Sequence, residues 1–350
     1  MTGAPLTLLA ATLVFAACLA LAVVLVLTKV GRQTRRRRRA ALVAPLRSHL
    51  IAVSAGEDEG PARSALAAAD GPSRLAVTGA IADLLGKVRG LPAEHLVEVL
   101  DRHGALEAAM ADLRHSSPVR RAQAAQLLGV SRVPDAVDAL VAALQDKAGE
   151  VRSSAAYALG LIGDPRAAAP LLAAVGAPGA GLPAGLAADA LLGMGVGISG
   201  ALGDALSDPD PRTRTVAAHV CGTGSFTRAL PCLRERLALD PDLTVRETCA
   251  QALGSIGRAD DVEVLARHTE ALQPLPLRRV CAGALGQLGE DAAVSTLAAL
   301  LRDPDPRLAE IAATSLVRLG PCGRAALDAA GDERPVQSAL TVASLQGVLR

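Results

Sequence analysis

The sequence predicts an all-α fold, an α-solenoid of stacked helix pairs that follows one N-terminal transmembrane helix. Three observations support it: an uncharged apolar run near the N-terminus, a repeat of about 32 residues, and Asp-Pro and Gly punctuation of that repeat. The chain of 350 residues is 51% hydrophobic, which excludes a disordered chain. With no Trp, one Tyr and two Phe, it lacks the rings that stack bases or sugars.

The first predicted element is a membrane-spanning helix at about residues 6–27. Leu6 to Leu27 is a run of 22 residues without a charge, long enough at 1.5 Å per residue to cross a bilayer core of about 30 Å. Because positive charge follows this run, we expect a single-pass cell-membrane protein with its N-terminus outside and its repeats in the cytoplasm. The predicted membrane-surface anchors, which would contact anionic lipid headgroups, are Lys29, Arg32, Arg35, Arg36, Arg37, Arg38 and Arg39.

This basic juxtamembrane segment, residues 29–50, could alternatively bind nucleic acid through phosphate contacts. Residues 28–50 hold eight basic and no acidic side chains, so 28 basic side chains face 35 acidic ones in the rest of the chain. An acidic body is a poor DNA binder, and we therefore expect no nucleic-acid partner. Only three lysines accompany 33 arginines, which is typical of a GC-rich bacterial genome and carries no functional meaning by itself.

An internal repeat dominates residues 118–320. The clearest copy runs from Val151 to Gly163, and we number its positions from Val151. Its position-6 alanine predicts six equivalents, spaced by 32, 32, 30, 32, 32 and 31 residues. The seven marker alanines are Ala124, Ala156, Ala188, Ala218, Ala250, Ala282 and Ala313.

Each copy predicts two helices. Apolar or small residues at positions 1, 5, 6, 9 and 12 form one helical face. Glycines such as Gly163, Gly257 and Gly289 then end the marker helix, and a second amphipathic stretch follows, as at Asp135 to Gln145. An Asp residue then caps the first helix of the next copy, and a Pro residue stands in the first turn of that helix. Such pairs bury their apolar faces only by stacking.

Two regions flank the regular copies. Residues 51–117 predict an irregular helical N-terminal cap, and residues 321–350 predict C-terminal capping helices that include Val336 to Leu349.

In the third copy, Ala177 to Gly185 replaces the usual junction and Ala184 replaces the position-2 arginine. Because interior glycines weaken helices, we expect a soft point near residues 176–186.

The combination of Asp-Pro, Val-Arg, Ala-Ala, Ala-Leu-Gly and a closing Gly resembles the short HEAT repeats of bacteria, of the phycobilin lyase type. The resemblance covers about residues 118–320, with a less regular copy near Leu75 to Gly86. It implies a protein–protein interaction scaffold. Membrane-anchored proteins of this layout resemble accessory subunits of glycosyltransferase or signalling systems, so a membrane-associated or cytoplasmic protein of those kinds is the implied partner.

The sequence gives little support to an enzymatic activity of the kinds found in the same family. A HEAT-family hydroxylase uses His-Glu dipeptides on successive repeats, and this chain has none. No Cys-x-x-Cys suggests zinc, and no aromatic pocket suggests a bilin lyase. Gly195 to Gly200 matches G-x-G-x-x-G, but it follows a repeat helix rather than a strand, which favours an inter-helix turn. We expect no catalytic residue, metal or cofactor.

Two further sets of side chains are predicted to have structural roles. Cys221, Cys249 and Cys281 fall on buried repeat positions, where thiols are inert. The position-2 arginines resemble a phosphate ladder, but aspartates recur in the loops beside them, and in this family such rows hold repeats together. These arginines are Arg120, Arg152, Arg214, Arg246 and Arg278.

The candidate binding surface comes from positions 3, 7 and 11, which share one exposed helical face. In α-solenoids the second helix of each pair lines the concave side, where partners bind. The predicted partner-binding residues are Tyr157, Asp189, His219, Gln251, Arg121, Glu247 and Arg279. The sequence thus predicts a non-enzymatic, membrane-tethered scaffold. The alternatives are a HEAT-family lyase or hydroxylase and a nucleic-acid-binding HEAT domain.

Overall fold

The computed structural model describes residues 40–57, 60–177 and 181–331, together with residue 337 and eleven isolated positions between 19 and 38. Every regular element within those ranges is a helix. Contacts between Cα atoms divide the chain into two compact units, Met1–Ala109 and Met110–Arg350. The helices of each unit follow from local sequence signals and from packing within that unit.

The predicted membrane placement requires a correction. No helix in the described part of the chain is both long enough and apolar enough to cross a bilayer. A single-pass protein with its N-terminus outside is therefore not supported, and neither is the membrane tether that depended on it. Most of the predicted span at Leu6 to Leu27 lies outside the described residues. So do four of its seven predicted anchors, whereas Lys29, Arg37 and Arg38 are exposed helical residues.

The first unit contains four described α-helices: α1 (Arg47–Ala55), α2 (Pro61–Ala67), α3 (Gly71–Leu85) and α4 (Leu91–Arg102). His103, buried just after α4, connects three of them. Its Nε2 lies 3.1 Å from the Leu66 carbonyl oxygen and its Nδ1 3.2 Å from the Thr78 hydroxyl. Since a carbonyl only accepts, Nε2 donates and the neutral ring accepts at Nδ1. Desolvation lowers the pKa of His103, which keeps that neutral form.

The second unit contains all seven predicted marker helices, here called the long helices, and we number the repeats 1–7 by them. Helix α5 (Ala105–Asp112) precedes these repeats and crosses the boundary between the units in sequence. The long helices are α6 (Pro118–Val130), α8 (Gly149–Ile162), α10 (Ala184–Gly193), α12 (Pro211–Thr223), α14 (Leu243–Ile256), α16 (Leu275–Leu288) and α18 (Pro306–Arg318).

A short helix follows each long helix. The short helices are α7 (Val137–Ala143), α9 (Ala168–Gly176), α11 (Ser199–Ala205), α13 (Leu230–Leu239), α15 (Asp261–Arg267), α17 (Val294–Leu300) and α19 (Gly320–Ala330). Five of them continue from a one-turn 3-10 helix, as Pro134–Ala136 precedes α7. The predicted second stretch of each copy is therefore present. The G-x-G-x-x-G segment is also an inter-helix turn, because Gly195–Ile198 is a 3-10 helix between α10 and α11.

Helix ends are where the sequence predicts them. Asp210 accepts a hydrogen bond from the Arg212 backbone N–H, and Asp242 accepts from those of Thr244 and Val245. Gly163 and Gly257 end α8 and α14 with φ of 76° and 74°, a left-handed conformation that glycine adopts without a Cβ clash. These caps satisfy backbone groups that a helix terminus otherwise leaves unpaired.

The repeats stack as two rows of helices. Consecutive long helices contact one another from α6 through α18, and each short helix between them packs against the long helix that follows it. Between the rows lie fully buried leucines such as Leu159, Leu171, Leu202 and Leu253. Burying a side chain of this size stabilises a fold by about 1.5–3 kcal/mol.

A ladder of small residues brings the long helices together. Position 10 of one helix faces position 8 of the next: a Cβ atom on Gly254 would lie 2.8 Å from the Cα of Ala284, and one on Gly222 would lie 2.7 Å from the Cα of Ala252. Only glycine permits such close backbone approach. The ladder has no glycine between α10 and α12, where Leu192 and Val220 occupy these positions.

The ladder also corrects the register of repeat 1. Gly129 faces Ala158 as the other position-10 glycines face position 8. Position 6 is therefore Ala125, which is fully buried, rather than the predicted Ala124. Position 2 is correspondingly Arg121 rather than Arg120.

Candidate functional site

Most position-2 arginines hold neighbouring repeats together, as predicted. Arg214 donates from Nε and Nη2 to both carboxylate oxygens of Asp240, at 2.7 and 2.8 Å, and its side chain is 8% exposed while that of Asp240 is 0% exposed. Its Nη1 donates to the carbonyl oxygens of Asp208 and Pro209. One guanidinium thus fixes the loop before its own helix and the loop of the next repeat.

The same arrangement recurs along the row with variations. Arg121 pairs with Asp146 at 2.7 Å, and Arg278 pairs with Asp303. Arg246 donates to the Gln273 side-chain oxygen instead, and Arg152 donates to the carbonyls of Asp146 and Lys147. Hydrogen bonding to the Arg121 guanidinium lowers the pKa of Asp146.

Two of the predicted partner-binding residues therefore have structural partners. Arg121 is the position-2 arginine of repeat 1, and it is largely buried against Asp146. Arg279 donates to both carboxylate oxygens of Asp305, and this contact lowers the pKa of Asp305. Glu247 is half-buried on α14, where burial and then the nearby Asp242 raise its pKa. Whether any of these three also contacts a partner stays a prediction.

The other four predicted residues share the outward face of the long-helix row. Tyr157, Asp189, His219 and Gln251 occupy position 7 of α8, α10, α12 and α14, and all four are exposed, with Tyr157 at 49%. No hydrogen bond from these side chains to another described residue is found. In repeat 1 the exposed position-7 residue is Gln126, because Ala125 faces the core. We call this surface the long-helix face.

A groove lies on the long-helix face across α12, α14 and α16. It has a volume of about 230 Å³ and contains two of the predicted residues, His219 and Gln251. Its remaining lining comes from Gly222, Thr223, Thr248, Ala252, Ser255 and Gln287. Thr223, Ser255 and Gln287 are the position-11 residues of three consecutive repeats. The sequence predicts that position 11 shares the exposed face, but reading only positions 3 and 7 across the copies misses these side chains.

A second groove of about 290 Å³ continues on α16 and α18, with charged residues at its rim. Arg307, Glu310 and Arg318 line it, together with Ile311 and Thr314. All three charged side chains are exposed, and none forms an ion pair with another described residue. The lining therefore changes from uncharged in the groove at α12–α16 to charged in the groove at α16–α18.

The cysteines support the prediction of inert thiols. Cys221, Cys249 and Cys281 are fully buried, and burial raises the pKa of each thiol to about 12. Cys322 is exposed, but its hydrogen bond to Asp291 and the charge of that carboxylate raise its pKa as well. Within the residues described, no three His, Cys, Asp or Glu side chains are grouped as metal ligands.

Comparison with protein families identifies the repeats. A model described as HEAT repeats matches residues 105–191 and 200–275, and a model described as PBS lyase HEAT-like repeat matches residues 277–303. Together they account for more than half of the chain. The chain belongs to the HEAT-repeat proteins. The matched ranges cover α6 through α17 and begin at α5, so the assignment coincides with the helix pairs described above.

Two solved structures of other proteins align with this chain. Kap121p aligns with a TM-score of 0.54 at 14% identity, over 82% of this chain and 36% of Kap121p. The HEAT-repeat chain thus spans just over a third of the length of that protein. The complex of CpcE and CpcF of phycocyanin lyase from Nostoc sp. PCC7120 aligns at 24% identity over 67% of this chain and 94% of that one, with a TM-score of 0.34. A search of curated proteins found no match.

Proposed function

We propose that this HEAT-repeat protein is a non-enzymatic scaffold that binds a partner protein on its long-helix face. The observation that carries the proposal is the row of exposed position-7 side chains: Tyr157, Asp189, His219 and Gln251 lie on four consecutive stacked helices. Consecutive repeats present such residues at regular spacing on one extended surface, which suits binding to another protein. Tyrosine is enriched in protein interfaces, and Tyr157 is the only one in the chain.

The contrast between the charged side chains that connect repeats and the uncharged groove supports a binding role for the long-helix face. Most position-2 arginines and their aspartates are consumed in contacts between repeats, as in the Arg214–Asp240 pair. The groove at α12–α16 is lined instead by side chains with unused hydrogen-bonding capacity, such as Gln251 and Gln287. Uncharged polar groups of this kind recognise a partner surface more readily than they perform acid–base or nucleophilic chemistry.

Affinity purification from cells that express the protein tests the proposal. The tagged full chain is compared with a variant in which Tyr157, Asp189 and His219 are changed to alanine. A matched control variant changes three exposed residues of the short helices to alanine, namely Asp138, Glu235 and Glu263. We expect a defined protein that co-purifies with the parent and the control and is lost from the long-helix variant.

Two results would count against the proposal. Retention of the same protein by the long-helix variant would mean that another surface binds it. Recovery of a bound metal or a chromophore, detected by metal analysis and by absorption, with no protein partner would favour a HEAT-family enzyme instead.

A further inference from the structure

The groove at α12–α16 is lined by uncharged residues. Its polar side chains are those of His219, Thr223, Thr248, Gln251, Ser255 and Gln287. Its lining contains no lysine, arginine, aspartate or glutamate, although charged residues make up 20% of the chain. Apart from the imidazole, it contains no ring. It therefore offers hydrogen-bond donors and acceptors without a net charge and without a stacking platform.

This composition restricts the class of ligand. A nucleic acid requires cations for its phosphates, and the groove has none. Bases require flat apolar surfaces for stacking, which threonine, serine and glutamine do not provide. A charged peptide side chain would lose hydration in the groove without gaining an ion pair. The lining suits an uncharged group that both donates and accepts hydrogen bonds, and the amide of a peptide backbone is such a group.

We propose that this groove binds an extended, uncharged peptide segment of the partner protein, chiefly through its main-chain amides. The inference rests on the proposed function and specifies which part of the partner is recognised. Gln251 and Gln287 each carry a carbonyl oxygen and an amino group, so one side chain can accept from a backbone N–H and donate to a backbone C=O. Thr223 and Ser255 add hydroxyl groups that both donate and accept.

The dimensions of the groove suit an extended segment. Its lining comes from three consecutive long helices, and packed helices lie about 8–10 Å apart. Two such separations correspond to about 16–20 Å, which an extended chain covers in about five or six residues at 3.3 Å each. The segment would cross the helices rather than follow one of them, with one contact at each repeat. Beyond α16 it would meet Arg307, Glu310 and Arg318, where charged residues become acceptable.

A displayed library of random twelve-residue peptides, selected on the full chain, tests this proposal. Enriched peptides are synthesised with a fluorescent label, and their affinities are measured by anisotropy. We expect a central stretch of five or six residues without Lys, Arg, Asp or Glu. Changing Gln251→Ala together with Gln287→Ala should weaken binding about tenfold or more, whereas Gln126→Ala should change it less than twofold. Gln126 is also exposed at position 7, but on α6 outside the groove.

Methylation of single backbone nitrogens separates main-chain from side-chain recognition. Within the central stretch, methylation should weaken binding at least fivefold at two or more positions, while alanine at the same positions should change it less than threefold. A larger loss of affinity from alanine than from methylation would overturn the proposal. Peptides that bind the Gln251/Gln287 variant as tightly as the parent protein would also overturn it. Circular dichroism of the variants is the control for folding, and we expect them to be folded because both glutamines are exposed.

The library and the affinity purification can fail separately. A partner that depends on Tyr157, Asp189 and His219, combined with no enriched peptide, would overturn the peptide inference and leave the scaffold in place. That result would indicate recognition of a folded surface of the partner.

Discussion

At the scale of single residues, Arg214–Asp240 is the most deeply buried ion pair of the described residues. Both side chains are withdrawn from water, so their charges are stabilised mainly by each other and by the carbonyls that Arg214 contacts. Burying two charges costs much of what their attraction returns, which means that such a pair adds modest net stability. Removing one partner is different, because it leaves the other charge buried and unpaired.

We therefore expect Asp240→Asn to destabilise the second unit by about 3–5 kcal/mol. The change preserves side-chain volume but removes the charge and one of two acceptor oxygens. Urea unfolding followed by circular dichroism measures the effect. Glu263→Gln is the control, since the Arg267–Glu263 pair is exposed on α15 and its loss should leave the unfolding midpoint unchanged. Equal midpoints for the two variants would contradict the role assigned to Arg214.

Cys322 gives a second prediction at this scale. It is the exposed thiol among the five described cysteines, yet Asp291 raises its pKa by accepting its hydrogen bond and by charge repulsion of the thiolate. Replacing the carboxylate in Asp291→Asn lowers that pKa toward the ordinary value, so more thiolate is present at pH 7.5. Labelling of Cys322 by a disulfide reagent should become several-fold faster.

The pH dependence checks the cause of this effect. The difference between Asp291→Asn and the parent should shrink as pH rises above both pKa values, because Cys322 is then a thiolate in each. A background with Cys18→Ser and Cys232→Ser removes the cysteine outside the described residues and the half-buried one, and the buried Cys221, Cys249 and Cys281 should remain unlabelled while the protein is folded. A rate difference that persists at high pH would mean that Asp291 acts by steric shielding.

At the scale of elements, the helices and their ends were predictable because their signals are local. Asp210 and Asp242 accept the cap hydrogen bonds that their positions before the helices predict, and Gly163 and Gly257 have the expected left-handed φ. The register of repeat 1 was not predictable in the same way. Ala124 and Ala125 are adjacent and equally small, so composition cannot choose between them. The tertiary contact of Gly129 with Ala158 on the neighbouring helix determines the register.

The same contact type gives a prediction for α16. Gly286 faces Ser315 of α18, and a Cβ atom there would lie 2.5 Å from the Ser315 Cβ. Gly286→Ala should separate the two helices and lower stability by about 1–3 kcal/mol, more than alanine gains in helix propensity. Gly283→Ala, one turn earlier on the same helix, meets nothing closer than 3.9 Å and should raise stability by about 0.5–1 kcal/mol. Thermal unfolding of the two variants measures the contrast, and a loss of stability in both would contradict the close-approach account.

The candidate site was predictable in part for a related reason. Helical periodicity places Tyr157, Asp189, His219 and Gln251 on one exposed face, and the structure confirms that placement. The groove forms where α12, α14 and α16 pack side by side. The place of Thr223, Ser255 and Gln287 in its lining therefore could not be predicted from any one helix. Arg121 and Arg279 fit the periodic pattern equally well, but their aspartate partners lie 25 and 26 residues away in the next repeat.

At the scale of the whole molecule, the repeat establishes the architecture and leaves the partner to the variable surface positions. The rows of long and short helices follow from residues that recur in most copies, whereas the long-helix face follows from residues that differ between copies. Repeat 3 departs from this pattern, since Leu192 occupies the position of the ladder glycine and Ala184 that of the position-2 arginine. The soft point expected near residues 176–186 stays a prediction, and residues 178–180 lie outside the described part.

Hydropathy misled the prediction at this scale. A run of uncharged residues at 6–27 satisfies the length and polarity criteria for a membrane span when read alone. The described helices contain none that could cross a bilayer, so the binding surface has to be justified without a tether. It is justified by the exposed side chains of α8–α14 and by the groove that they border.

Site-specific photo-crosslinking in cells tests the central claim most directly. A photoreactive phenylalanine analogue replaces Gln251 on the long-helix face or, in a matched variant, Glu263 on the exposed side of α15. Our account predicts a discrete adduct with one protein after irradiation of the Gln251 variant and none from the Glu263 variant. Adducts from Glu263 with none from Gln251 would contradict it and would place the binding surface on the short helices.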